Sequence, residues 1–375
     1  MAVVEGSTLT TAELVALLEA DHLIVDAGLY LLDADDGYVD DLTDDFLASG
    51  SSIDYAAYNT LHRSATLNIS RELQWGSQRL QPDIRLSSDG TTFYRWPMGV
   101  FLPSTPETSI GESPRVFSVA CFDKLDVLNT PIGTSQSVGA GDAVIAAVEA
   151  LITAAGETKI RIDQTAAATT STSDQVFSLL DGNWTVLGVC NQLLSSIGHQ
   201  ALWVDREGWF RSEPYRSPSE RPSVWTFNAS GNTSTVGEAR TVTRDYYQAS
   251  NQITGINTDT AVVDAPTVGT GIYTVTNTND GLTSVTARGG RYIRKIIQNS
   301  YVDQASLVVA VTAAMDVEKR IAEHISLTVS PTPILSHFSV VTLIDPEVPT
   351  SGRWLCTGWS LPLDGSDMSL ELRSV

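Results

Sequence analysis

The strongest constraint on this chain is a two-residue hydrophobic period near both of its ends. Ala65, Leu67 and Ile69 alternate with Thr66, Asn68 and Ser70; far downstream, Met368, Leu370 and Leu372 alternate with Ser369, Glu371 and Arg373. Successive side chains of a strand point to opposite faces, so each stretch predicts a strand with one buried face. Ile325, Leu327 and Val329 repeat the pattern, as do Tyr273 and Val275. Asp36-Gly37 lies between strand-like runs at 23–32 and 38–42, a hairpin signal because Asp and Gly tolerate positive φ. Further strands are predicted over 93–101 and 115–122, with the Pro/Ser/Gly-rich stretch 103–114 as a loop between them. Many short strands with turn chemistry between them predict a small barrel or sandwich.

The middle has a different period. Val144, Ile145, Val148, Leu151 and Ile152 fall at helical spacing within 142–155, and Gly156 supplies a stop. After a Thr/Ser-rich spacer at 165–173, a second helix is predicted from about 185 to 197, with Leu187, Cys190, Leu194 and Ile197 on one face and Gly198 at its end. A hairpin follows around Asp205-Arg206-Glu207-Gly208, and Pro214, Pro218 and Pro222 mark a linker or extended edge. One more helix is expected over about 304–322, with Asp303 as N-cap and Leu307, Val308, Val311 and Ala314 facing inward. The length of 375 residues allows two to three domains, and the change of period sets a strand-rich front at 1–135 apart from a helical middle and a last third that returns to strands. No repeat of 20–50 residues is visible, which excludes a solenoid.

The formal net charge is −21, from 23 basic and 44 acidic residues. Such a chain does not hold nucleic acid by neutralising phosphates, and it avoids anionic membrane surfaces. Residues 1–60 hold thirteen Asp or Glu and no Lys or Arg. This is a solvated acidic face or, more sharply, a surface that repels another polyanion. No stretch reads as a signal peptide or an integral membrane segment, so a soluble protein made in the cytoplasm is expected.

A search for chemistry finds no catalytic, cofactor-binding or metal-binding residues. Asp33, Asp35, Asp36, Asp40, Asp41, Asp44 and Asp45 invite a calcium reading, but with Asp33 at position 1 the glycine falls at position 5 and Asp44 stands where the bidentate Glu belongs. A solvated hairpin is the plainer reading. Gly139-Ala140-Gly141 lacks the third glycine and the lysine of a phosphate loop and reads as a helix entrance. His22, His62, His199, His324 and His337 lie far apart in sequence, with no pair at i, i+4. There is no Gly-x-Ser-x-Gly elbow. Cys121, Cys190 and Cys356 encode neither a disulfide framework nor a thiolate site and are expected as small buried hydrophobes. Trp75, Trp96, Trp184, Trp203, Trp209, Trp225, Trp354 and Trp359 are scattered along the chain, for packing or, alternatively, for stacking on sugars.

Four stretches together resemble a known family. The first runs from Arg63-Ser-Ala-Thr-Leu-Asn-Ile-Ser70 through Pro82-Asp-Ile-Arg85, Trp96-Pro-Met-Gly-Val-Phe-Leu102 and the strand at 117–123. The second is the helix after Trp184, ending Ile197-Gly198, with Leu202-Trp-Val-Asp-Arg-Glu-Gly-Trp-Phe-Arg-Ser-Glu-Pro-Tyr215. The third is 245–255, where Ser250 stands in place of the proline of a Pro-Asn-x-Val strand ahead of Asn251-Gln-Ile-Thr-Gly255. The fourth covers Ser330-Pro-Thr-Pro333 through Val341, then 354–363 and 368–375. In order and spacing they resemble the tail hub (baseplate hub) proteins of long-tailed, siphovirus-type bacteriophages, the kind that forms the N-terminal part of tail-associated lysins.

That resemblance implies an α+β, β-rich fold: a first β-barrel tube domain at 1–135, a mixed middle at 136–243, and a second, discontinuous barrel at 244–375. It implies a structural virion protein of the tail tip and no enzyme, since the chain's end at Val375 falls about where the hub ends. Three copies would adapt a six-fold tail tube to a three-fold tip and form a conduit through which DNA passes without specific binding. The implied partners are a distal tail protein ring, a tape measure protein, and tip or receptor-binding proteins. Rival readings are a carbohydrate- or cell-surface-binding β protein and a cell-wall hydrolase with an unrecognised site.

Overall fold

The computed structural model describes residues 2–20, 22–108, 115–164, 170–171, 174–229, 235–244, 249–258, 263–299, 301, 303–319, 323–348 and 352–375. Parts of four predicted segments, 109–114 of the loop, 165–169 and 172–173 of the spacer, 245–248 of the third resembling stretch and 320–322 of the last helix, lie outside the described residues.

Strands from both ends of the chain meet in a single fifteen-stranded sheet. Its path runs Ala2–Glu5, Thr92–Pro97, Arg79–Ser87, Phe101–Thr108, Phe117–Asp123, Arg63–Ile69, Phe46–Ala56, Gly352–Pro362, Met368–Ser374, Glu323–Val329 and Val236–Arg244. The junction between the two ends is antiparallel, with Ile53 opposite Leu361 and Tyr55 opposite Trp359. Two branches leave this path. Ile24–Leu32, with Tyr38–Asp41, pairs along Arg79–Ser87, and Val340–Ile344, with Ser223–Asn228, pairs along Gly352–Pro362.

The fold is therefore β-rich and α+β, but the sheet does not close into a barrel among the described residues. The reason is visible in the two longest junction strands. Gly352–Pro362 pairs with Val340–Ile344 over its first residues and with Phe46–Ala56 over its last, so the ladder forks where a barrel would continue.

Periodicity placed the strands well. Arg63–Ile69 buries every second residue, and the Asp36-Gly37 hairpin forms with Asp36 at φ 60°. The predicted loop at 103–114 needs correction. Phe101–Thr108 is a strand paired with Phe117–Asp123, despite Pro103 and Pro106. Apart from a single pairing of Phe101 with Leu80, its other edge meets no described strand, and its register shifts between Pro103 and Thr105. An edge with a bulge is where a strand tolerates residues that cannot donate a ladder hydrogen bond. The run expected at 93–101 breaks after Pro97, where Gly99 takes φ 133°.

Helix α1 (Thr11–Leu18) was not anticipated. Thr10 accepts from the Glu13 N–H while Glu13 reaches back to the Thr10 N–H, a capping box, and Leu17 and Leu18 enter the large core. Helices α2 (Val144–Ala154) and α3 (Val186–Ser196) match the helical periods and pack on each other around Ile145, Val148, Cys190 and Leu194. Thr185 caps α3, and Gly156 and Gly198 follow the two helices at positive φ.

A four-stranded sheet, ordered Thr267–Val268, Gly271–Thr276, Gln252–Asn257 and Arg294–Asn299, carries helix α4 (Gln304–Lys319) on one face. Leu307, Val311 and Met315 are buried there, with Ala314 beside them, and the Asp303 carbonyl accepts from the Leu307 N–H. No helix among the described residues is long and apolar enough to cross a membrane.

Helix α4 lies directly over Gly255, where any added Cβ would overlap Val311 and Leu307. Gly255→Val is expected to lower stability by roughly 1–3 kcal/mol through overpacking, measured as a fall in the urea midpoint of the transition that carries α4.

Candidate functional site

The chemistry-bearing residues gather at two buried junctions. At the first, the hairpin turn points Asp36 inward. Asp33 shapes that turn by accepting from the N–H groups of Asp35 and Gly37 at 2.9 and 2.7 Å. The Asp36 carboxylate, fully enclosed, meets Arg79 and Lys124 at 2.5 Å each, and Glu157 meets the same two cations at 2.7 Å each. Lys124 also donates to the Gly208 carbonyl. A third, part-exposed cation, Lys159, lies 3.5 Å from Asp36. Two carboxylates and three cations thus link the first hairpin, the sheet, and the segments after α2 and α3. Burial pushes the Asp36 carboxyl up, but Lys124 and Arg79 outweigh it, and the net shift is downward.

Asp36 therefore departs from the expected solvated hairpin. Asp33, Asp35, Asp41 and Asp44 are exposed, and Arg71 bridges the half-exposed Asp40 and Asp45.

At the second junction two histidines distant in sequence come together. The His62 and His337 rings lie 4.6 Å apart, and Trp203 stacks on His337 at 5.0 Å. The Tyr55 hydroxyl accepts from the Phe338 N–H and lies 3.0 Å from His337 Nδ1. Phe338 takes φ 51°, and Arg206 donates to the Leu335 carbonyl at 2.6 Å. Burial, then the nearby His62, Arg63 and Arg221 charges, push the His337 pKa down to about 2; burial and Arg63 also lower that of His62. Among the described residues no group of three or more His, Cys, Asp or Glu could hold a metal.

The remaining motifs are absorbed by structure. The Gly139 and Ala140 N–H groups donate to Asp142 and Asp174, so the helix entrance has satisfied these amides with its own carboxylates. Cys121, Cys190 and Cys356 are buried, each thiol pushed up to about 12 by burial. Trp96, Trp225, Trp354 and Trp359 are buried, and the other four are half-buried. None of the eight is among the exposed large side chains.

What the surface offers instead is open sheet edges. Tyr38–Asp41, Ala2–Glu5 and Arg294–Asn299 each pair on one side only among the described strands. A cavity of about 430 Å³ opens between α4, Tyr58, Tyr215 and the last residues Arg373–Val375.

No family model matches the sequence, and no curated protein matches it. Solved structures do. A tail protein from Neisseria meningitidis MC58 superposes with a TM-score of 0.63 at 13% identity, covering 93% of this chain and 97% of that one. The 43 kDa tail protein of prophage MuSo2 from Shewanella oneidensis gives 0.60 at 13% identity, covering 93% and 98%. Prophage tail protein gp18 from Listeria monocytogenes EGD-e gives 0.57 at 10% identity, covering 93% and 94%. The chain shares the fold of phage tail proteins.

Two outcomes follow from the junctions. Lys124→Met leaves Asp36 and Glu157 short of a buried counter-charge and is expected to cost about 3–5 kcal/mol, with Lys124→Met/Glu157→Met recovering part of it in urea unfolding. Folding lowers the pKa of both His62 and His337, so the unfolded chain takes up their protons first, below about pH 6.5. Stability is therefore fully present above that pH and falls below it, by at most about 1.4 kcal/mol per pH unit for each histidine. His337→Phe is expected to flatten this acid limb in stability measured between pH 7 and 5.

Proposed function

We propose that this chain is a structural protein of a phage-type tail, serving as the hub at the tail tip. The observation that carries the reading is a fold shared with three tail proteins over 93% of this chain and nearly all of theirs. In this reading three copies form a ring. Residues 1–135 and 244–375 each supply a tube-like unit, giving six units to match a six-fold tube, and residues 136–243 build the three-fold side. The neighbours are a distal tail protein ring, the tape measure protein and tip or receptor-binding proteins, all within the virion. The role is geometric and involves no catalysis.

The acidic front of the chain fits a conduit. Duplex DNA carries one phosphate charge per ~1.7 Å, so basic walls would hold it by releasing counterions. Carboxylates bordering a narrow lumen repel it across a Debye length of ~8–10 Å and let it pass. Asp36 takes no part in that field, because Arg79 and Lys124 neutralise it.

A reconstruction of assembled tails tests the reading. It is expected to show three copies at the tip around a lumen of net negative wall charge. One or six copies would overturn the hub assignment, and a net positive wall would overturn the conduit. Pure protein is expected to leave peptidoglycan zymograms uncleared; clearing abolished by one point substitution would show an enzyme.

A further inference from the structure

We propose that the basic outer edge of the small sheet seats the acidic hairpin edge of a second copy of this chain, joining copies head to tail. The proposal rests on the ring reading above and names the contact that would build the ring.

Residues 281–302 contain Arg288, Arg291, Arg294 and Lys295 and no carboxylate, whereas residues 1–60 contain thirteen carboxylates and no Lys or Arg. Two copies of a chain of net charge −21 repel each other except where a basic patch meets an acidic one.

Each patch lies on an open strand edge. Arg294–Asn299 pairs in parallel with Gln252–Asn257, and its other edge meets no strand among the described residues. Ile296 is 64% exposed on it. Arg294 donates to Gln252 Oε1 at 2.8 Å and has no carboxylate partner among the described residues, and its guanidinium lies 5.4 Å from the exposed Tyr292 ring. Lys295 is held by Glu318 at 2.9 Å.

On the acidic side, Tyr38–Asp41 pairs only with Ile24–Leu32 among the described strands. Tyr38 and Val39 are 66% and 49% exposed, and Asp35 and Asp41 are exposed beside them.

Each edge thus combines open main-chain positions, exposed apolar side chains and an exposed charge, Arg294 on one and Asp35 and Asp41 on the other, while Glu318 and Arg71 offset Lys295 and Asp40; these are the features of strand addition between chains. A short basic edge built around Ile296 fits a partner strand better than a phosphate backbone, which rewards a longer row of cations without apolar residues. The contact joins two different surfaces, so it is heterologous: repeated, it gives a ring where the rotation closes and an open filament where it does not.

Sedimentation of the full chain at 50 and 500 mM salt tests this, with Arg294→Glu, Asp35→Lys/Asp41→Lys, and the three substitutions combined. All three positions are exposed, and circular dichroism confirms folding. The wild type is expected to associate at low salt and to weaken at high salt. Each charge reversal should weaken association at least tenfold, and the combined swap should restore it. A wild type that stays monomeric at low salt, variants that associate unchanged, or a combined swap that fails to recover overturns the interface. Loss of duplex DNA binding in Arg294→Glu would assign the patch to nucleic acid and overturn it as well. A three-copy tip with these edges far apart would reject this contact while leaving the hub reading standing; a tip with one or six copies would reject the hub reading itself.

Discussion

The structure depends on the antiparallel pairing of Phe46–Ala56 with Gly352–Pro362. Ile53 and Leu361 face each other although more than three hundred residues separate them, and both are fully buried. One core therefore draws on both ends of the chain, from Leu29 and Phe101 to Trp354 and Leu370. Closing so long a loop costs entropy that only the completed ladder and its apolar layer repay. The middle of the chain is consequently held out as an insert between two strands that must meet.

That insert has its own core between α2 and α3, which Leu61, Leu125 and Leu128 from the sheet side join, and polar contacts add to this fastening. The Asp36–Arg79–Lys124–Glu157 ring joins it to the first hairpin, and the Tyr55–His337 cluster, with Trp203, joins it to the C-terminal strands. Apolar layers tolerate sliding, whereas buried charges that must each find a partner fix one orientation. In the proposed hub, such fixed orientation of the parts would be the mechanism.

The functional reading comes from shape. Sequence identity to the three tail proteins is only 10–13%, yet the matched lengths are nearly complete on both sides. Of the candidate groups for chemistry, the three cysteines, His62 and Asp36 end up enclosed, while Asp33, Asp35, Asp41 and Asp44 stay exposed. The features left open to a partner are strand edges, and edges are what an assembly of sheets joins.

Local order was legible in the sequence because it follows from periods and caps. The alternation at 63–69, the helical spacing at 144–154 and the Asp36-Gly37 turn each specify their own element through contacts a few residues away. The Thr10–Glu13 capping box carried the same kind of signal for α1. Fold class and acidity were equally plain. What only the tertiary structure decided was every relation between distant residues: the fork at Gly352–Pro362 in place of a closed barrel, the strand through Pro103 and Pro106, the burial of one aspartate out of seven, and the meeting of His62 with His337. These depend on which strand lies beside which. The two-residue period fixes the face a side chain occupies and leaves its neighbour across the ladder unspecified.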